Sequence, residues 1–300
     1  MQFHHLLLAT LLPVAALAAE SVQVPVWASE GGALEPASIT ASIGGEPTEV
    51  LGVQKPTDDL MLLVVLDLTD DLAAVEQARN ALVTRLDGLA ANHIVGVLSA
   101  QNGLRVLSEP GNDRAKSAVA IRSQQVGGRA GLLETVEQAA QIGSSIMAKS
   151  GVRVAVLYIT DSDINNYREG FDNPTVNRSD NGDVSRRMDS LVRERMSRTA
   201  GSLNKTQAPV FVTHLTYRSD QLNVAYQTGL ITLTAATGGN AIVARSLAEI
   251  PDAVNRAMDH ILGHYSVKLA VKNPQLKKAD VALQSQGGEL DYRASYQLGN

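Results

Sequence analysis

Past residue 19 the chain switches between two textures. From 20 to 55 apolar and polar positions trade places one by one (Val22, Val24, Val26), interrupted by Gly-Gly pairs at 31–32 and 44–45. A period of two broken by turn formers predicts short strands with one buried face. At Leu60 the texture changes: Leu60 to Leu66 is an unbroken aliphatic run, which predicts a strand covered on both faces. Leu72, Val75, Ala78, Leu82 and Leu86 then recur at helical spacing. The alternation repeats with a strand at His93–Ser99, a short one at Gly103–Leu107, a helix over 131–148 and a second wholly apolar strand at Val152–Thr160. A polar stretch, 161–184, leads into a charged helix over 185–200. Val210–Leu215 (strand), 220–236 (helix), Ala241–Ala244 (strand) and 246–262 (helix) complete the series. This order predicts βαβ units and an α/β fold over 58–263, a doubly wound, mostly parallel sheet flanked by helices. From 264 to 300 the texture is β again, with runs at Ser266–Val271, Val281–Gln284 and Tyr292–Tyr296. Because chain ends commonly lie close together, segments 20–55 and 264–300 are expected to pair into one small β module.

Residues 1–19 stand apart. Leu6 to Ala15 is a short apolar run, and Ala16-Leu17-Ala18 supplies the small-residue pattern of a cleaved signal peptide, the alternative being an uncleaved anchor. The expected location is therefore periplasmic or extracellular. No later stretch reaches the roughly 18 uninterrupted apolar residues of a membrane span.

Composition narrows the chemistry. The chain has 300 residues and 44% hydrophobic content, enough for a sizeable core, which three Phe and one Trp leave mainly aliphatic. The absence of Cys excludes disulfides, thiolate zinc sites and thiol nucleophiles. A net charge of −5 without a Lys/Arg cluster argues against nucleic acid and anionic membranes as partners.

In open α/β sheets ligands bind outside the carboxyl ends of the strands, at the switch point. Two strands here end in an acid followed by polar residues: Leu66-Asp67-Leu68-Thr69-Asp70-Asp71 and Ile159-Thr160-Asp161-Ser162-Asp163. If those strands are neighbours, Asp67, Asp71 and Asp161 converge with the Thr69 hydroxyl. Carboxylates so placed repel one another unless a cation joins them, and hard oxygen ligands suit Mg²⁺ or Mn²⁺. The plainer reading is that Thr69 or Asp70 caps the following helix, with Asp71 facing its dipole.

These motifs, taken in order, resemble the von Willebrand factor type A domain and its bacterial secreted relatives. That family's metal-ion-dependent adhesion site is built from D-x-S-x-S after the first strand, a Thr from a later loop and an Asp after the fourth strand. Asp67-Leu68-Thr69-Asp70-Asp71 matches as D-x-T-x-D, and Thr160-Asp161-Ser162 looks like the family's T-D-G. Gly127-Gly128-Arg129-Ala130-Gly131-Leu132 stands where the family has G-G-T-A-L, and Leu233 to Gly239 resembles its L-A-x-x-T-G-G. Gly263-His264-Tyr265-Ser266-Val267 looks like the closing helix and strand of the secreted relatives. The resemblance implies a degenerate metal site at Asp67, Thr69, Asp71 and Asp161. Asp71 adds an anion where the family has Ser, while Arg129 brings a cation where it has Thr. Either a divalent ion, Mg²⁺ or Mn²⁺, binds weakly, or Arg129 replaces it through paired contacts with the acids. The paired substitution favours the second, so no cofactor is expected. Ser162, Asp163 and Asn165 are expected to face a partner.

Other patterns are weaker. Asp161, Asp163, Asn165, Glu169 and Asp172 partly imitate a calcium-binding loop but lack its glycine. His260 and His264 have a spacing that can ligate zinc, but a helix end favouring imidazolium accounts for them more simply. Arg186, Arg187, Arg193, Arg195 and Arg198 read as a solvated helix face. The leading functional expectation is a secreted, non-enzymatic module that binds a protein partner at the carboxyl edge of its sheet. A metal-dependent hydrolase or phosphoryl-transfer enzyme and an extracytoplasmic solute-binding protein are the rivals. Neither G-x-G-x-x-G after an early strand nor G-x-S-x-G occurs.

Overall fold

The computed structural model describes residues 21–29, 34–170, 181–273 and 275–298; of 168–170 and 181–187 it describes the backbone only. The N-terminal signal, Glu169, Asp172, Arg186 and Arg187 thus lie outside the described residues or side chains. In chain order the elements are β1 (Ser21–Ala28), β2 (Ile39–Ile43), β3 (Glu46–Thr48), β4 (Val50–Gln54), β5 (Leu60–Asp67), α1 (Leu72–Asp87), β6 (His93–Ser99), β7 (Arg105–Gly111), α2 (Arg114–Ser123) and α3 (Leu132–Ser150). They continue with β8 (Arg153–Thr160), α4 (Asn181–Leu203), β9 (Val210–His214), α5 (Gln221–Ala235), β10 (Ala241–Val243), α6 (Ile250–Gly263), β11 (Tyr265–Ala270), β12 (Lys278–Ser285), β13 (Leu290–Tyr292) and β14 (Ser295–Gln297).

The central sheet has six strands in the order β10-β9-β8-β5-β6-β7. All its neighbours run parallel except β6 and β7, an antiparallel edge pair whose register shifts twice. The aliphatic run of β5 serves both faces by alternation. Leu60, Leu62, Val64 and Leu66 join the core under α1 and α6, while Leu63 and Val65 join the one under α3, α4 and α5. β8 is buried at every residue, because helices cover both of its faces. α1 lays Ala74, Val75, Ala78, Leu82 and Leu86 inward, as its spacing predicts.

Two antiparallel four-stranded sheets, β13-β1-β11-β4 and β14-β12-β2-β3, flank this layer. β1 pairs with β11 and β2 with β12, so early and late segments interleave. Val22, Val24, Val26, Val267 and Leu269 from one sheet meet Ile43, Val281, Leu283 and Tyr296 from the other in a shared core. The resulting sandwich sits at the amino-terminal ends of the central strands. There Trp27 donates from Nε1 to the carbonyl of His260, 2.8 Å away, and stacks on its ring at 4.3 Å.

That junction corrects one expectation. His264 does not carry a charge favoured by a helix end. It is 1% exposed, and its Nδ1 lies 2.5 Å from the Ile261 carbonyl. Burial, with Arg153 adding to it, lowers its pKa from 6.5 to about 3. Desolvation outweighs the helix dipole here. The unfolded chain therefore binds a proton near pH 6.5 that the folded chain refuses until about pH 3. Stability is expected to be full above pH 6.5 and to fall by several kcal/mol as pH drops through that window. Urea titrations of the protein and of His264→Gln at pH 7 and pH 5 check this; the variant should lose part of the pH dependence.

Candidate functional site

β5 and β8 are adjacent and parallel, with Asp67 opposite Thr160, so their carboxyl ends open on one rim. The connection leaving β5 leads to β6 on one side, and β8 is followed by β9 on the other, which makes this the switch point of the sheet. Asp161 donates its backbone N–H to the Asp67 carbonyl at 3.4 Å. The two strand-end acids do emerge side by side.

Each acid has a full set of donors. Asp67 is wholly buried. It accepts from the Gly131 amide at 2.8 Å and the Leu132 amide at 3.3 Å, at the amino terminus of α3, where the helix dipole favours an anion. The hydroxyls of Ser162 (2.9 Å), Thr160 (3.1 Å) and Tyr167 (3.4 Å) donate to Oδ2, which also takes the Leu132 amide, while Gly131 serves Oδ1. Burial raises the Asp67 pKa, and these bonds oppose that rise without cancelling it. Asp161 holds the loop ahead of α1. Its Oδ1 accepts from the Thr69 amide (2.5 Å) and hydroxyl (3.0 Å), and its Oδ2 from the amides of Asp70 (2.9 Å) and Asp71 (2.7 Å). Three consecutive N–H groups converging on one carboxylate form an anion nest.

Gly131 is what lets α3 reach Asp67. A Cβ there would stand 1.8 Å from the Ala100 carbonyl oxygen at the end of β6, so only glycine allows this approach. Gly239 plays the same part before β10, where a Cβ would stand 1.9 Å from the Val210 oxygen.

The remaining rim residues depart from expectation in several places. The cap of α1 is Asp71, accepting from the Ala74 amide at 3.0 Å, and not Thr69 or Asp70. Thr69 spends its hydroxyl on Asp161. Arg129 is exposed, and among the described residues its guanidinium pairs with no acid. Its backbone is pinned to Asn102 in both directions at 3.0 Å, and amides and hydroxyls supply the positive character at the acids. Ser162 is fully buried against Asp67 and faces no partner. Asp163 forms an ion pair with Arg218 Nε at 2.8 Å, and Asn165 alone of the three expected partner-facing residues is exposed.

Some rim residues went unread in the sequence. His214, at the end of β9, sets Nε2 2.9 Å from the Ser162 carbonyl, and burial lowers its pKa. Tyr167 and Tyr226 back the Ser162 hydroxyl, and desolvation raises both phenols well above their usual range. His214 carried one available signal: a polar residue closing an apolar strand on the same rim as Asp67 and Asp161.

Among the described residues no three His, Asp or Glu side chains stand together to hold a metal ion. Asp67 Oδ1 accepts from one amide, and each of the other three carboxylate oxygens of Asp67 and Asp161 accepts from two or more protein donors. What the rim offers outward is a mixed surface. Leu72, Tyr217 and Leu247 are 64%, 43% and 49% exposed. Arg245 lies 5.8 Å over the Tyr217 ring, and Asp70, exposed beside Asp161 and Asp163, has a raised pKa from partial burial and those neighbouring charges.

No family model and no curated protein matches the chain. Among solved structures it is similar to a von Willebrand factor type A protein from Catenulispora acidiphila, at 9% identity and TM-score 0.47 over 94% of this chain and 74% of that one. It is also similar to a mutant of the PilB minor pilin from Streptococcus sanguinis (10%, 0.48, 69% and 62%). A third is the vWF domain of the type V pili tip protein Mfa5 from Porphyromonas gingivalis (11%, 0.44, 68% and 95%). The doubly wound α/β fold is the one expected from the sequence, and its strand order and the acids at its switch point are read from this chain's own structure.

Proposed function

We propose that this protein is an exported, non-enzymatic module of the von Willebrand factor type A kind that binds a protein partner at its carboxyl rim without a divalent ion. One observation supports the metal-independent mode: amides and hydroxyls already donate to every carboxylate oxygen of Asp67 and Asp161. Their role is then architectural. Asp161 holds the 69–71 loop that leads into Leu72 and Asp67 holds the start of α3, while Leu72, Tyr217 and Leu247 on the rim make the contact. A mode in which a partner's carboxylate completes a metal's coordination is disfavoured, since such a group would meet the exposed Asp70. An enzymatic role for Asp67 is disfavoured as well, because a wholly buried carboxylate touches no substrate.

Capture of a partner on the immobilised protein, with and without EDTA, tests the reading. Retention is expected to be the same in both, and Leu72→Glu with Tyr217→Ala is expected to abolish it while leaving the melting temperature within a few degrees. In calorimetry Mg²⁺ and Mn²⁺ are expected to give no saturable heat. Capture lost in EDTA, or a millimolar or tighter metal site removed by Asp67→Ala, would overturn the metal-independent mode. Turnover of generic phosphate or ester substrates abolished by Asp67→Asn would overturn the non-enzymatic one.

A further inference from the structure

The two layers of this molecule meet through two buried arginines that, among the described residues, are held by backbone carbonyls and form no ion pair. Arg153, the first residue of β8, is wholly buried, and among the described residues no carboxylate lies within ion-pair distance of it. Its Nη1 donates to the His264 carbonyl at 2.8 Å, and its Nη2 to the carbonyls of Pro56 (2.7 Å) and Asp58 (3.0 Å). Those carbonyls belong to the two crossings between the layers: 55–59 runs from β4 into β5, and 264 runs from α6 into β11. One planar fork therefore ties the inbound and outbound linkers together. Arg293, between β13 and β14, repeats the device from the other side. It is 7% exposed and donates to the carbonyls of Asn204 (2.6 Å) and Thr206 (2.7 Å) ahead of β9, with its guanidinium 4.0 Å over the Tyr296 ring.

We infer that Arg153 and Arg293 are positioning residues that latch the β sandwich in one pose on the α/β layer, holding the rim on the face opposite the sandwich. Layers joined by two short linkers move relative to each other by default unless their interface forbids it. A buried guanidinium outside ion-pair contact is costly, and at Arg153 carbonyls take both Nη groups while Nε has no hydrogen-bond partner among the described residues and Asp58 and Asp59 attract it from a distance. Here the matched carbonyls belong to whichever segment must stay put. Smaller contacts act in the same direction: the Gln23 amide donates to Gln207 Oε1 at 2.9 Å, and Pro25 packs 2.7 Å from where a Cβ on Gly238 would stand. The pose is thus specified at the amino-terminal edge of the sheet, and the partner surface at the other edge stays uncovered.

The absence of native cysteine makes the test direct. Spin labels are placed at exposed positions of the two layers, Gln138→Cys on α3 and Ala282→Cys on β12, and the distance distribution between them is measured by double electron–electron resonance. With both latches present a single narrow distribution is expected. Arg153→Met, which fills the volume without donating, is expected to at least double its width. Arg153→Lys, with one nitrogen for two linkers, is expected to fall between, and Arg293→Met to broaden it independently. Far-ultraviolet circular dichroism confirms that each labelled variant is folded; if Arg153→Met does not fold, Arg153→Lys and Arg293→Met carry the test. A broad or double-peaked distribution with both latches present overturns the inference, as does an unchanged narrow one in the folded latch variants. Neither result bears on whether the rim binds a partner.

Discussion

Asp161→Asn is expected to destabilise the protein by about 4 kcal/mol, since hydrogen bonds to a charged acceptor contribute roughly 1.5–3 kcal/mol each and do not add fully. The change is nearly isosteric, so packing is preserved and the chemistry is isolated. Asp161 accepts three backbone amides and one hydroxyl. The amide side chain keeps one accepting oxygen and turns the other position into a donor. In either orientation it faces N–H groups of the 69–71 loop with an N–H of its own. Thr69 and the side chain at 161 are 7% and 2% exposed, so water does not freely replace the acceptor lost on the Thr69 side, whereas the amide of exposed Asp70 is nearer to solvent. A melting-temperature drop of about 10 °C follows from roughly 2–4 °C per kcal/mol. Hydrogen exchange localises the effect: the amides of Thr69, Asp70 and Asp71 should lose protection while those of β8 keep theirs. A variant with unchanged stability and unchanged loop protection would mean that Asp161 does not order the rim.

Gly131→Ala is the second large effect, and it acts on the other acid. The added methyl would stand 1.8 Å from the Ala100 oxygen and 2.6 Å from its carbonyl carbon, both backbone atoms that cannot rotate away. The start of α3 must retreat from β6. Its Gly131 and Leu132 amides then withdraw from Asp67, leaving a buried carboxylate with hydroxyl donors alone. Steric displacement plus an undersatisfied buried charge places the cost at about 4 kcal/mol or more, in the tail of single substitutions. Gly201→Ala in α4 serves as the control. Nothing lies within 4 Å of its added methyl, and alanine gains up to about 1 kcal/mol over glycine inside a helix. Chemical denaturation of the three proteins decides the matter: Gly131→Ala is expected well below the parent and Gly201→Ala at or above it. Equal stability of Gly131→Ala would show that α3 does not need its close approach to β6.

How far the fold was legible depended on how strongly each segment was patterned. β5 is a continuous aliphatic run from Leu60 to Leu66, β8 is apolar from Val154 to Ile159, and α3 and α6 carry regular apolar spacing, so strand, helix and their alternation followed from period alone. α2 is not predicted from the sequence because Arg114–Ser123 is short and most of its apolar residues cluster consecutively at 118–121 without helical spacing, Ala118, Ala120 and Ile121 being the buried ones. β7 was read too short, and its antiparallel course is invisible to a periodicity argument. Its Glu109-Pro110-Gly111 end reads as a turn, and Pro is tolerated there because β7 is an edge strand.

For the site, sequence by itself determined that two acids close two wholly apolar strands, and parallel neighbours bring such ends to one rim. It also determined that the rim carries more acid than the motif it resembles, and that no thiol chemistry is open to this chain. Tertiary structure alone decided what those acids do. The direction of an amide or hydroxyl is set by how α3 and the 69–71 loop pack, through contacts far apart in the chain, such as Gly131 against Ala100. Charge counting suggested Arg129 as the balancing cation. Packing assigned that task to backbone amides and buried hydroxyls, which carry no formal charge and leave no mark in composition. The same holds for Arg153 and Arg293: in sequence they are two arginines among many, and only the crossing of two linkers turns them into latches.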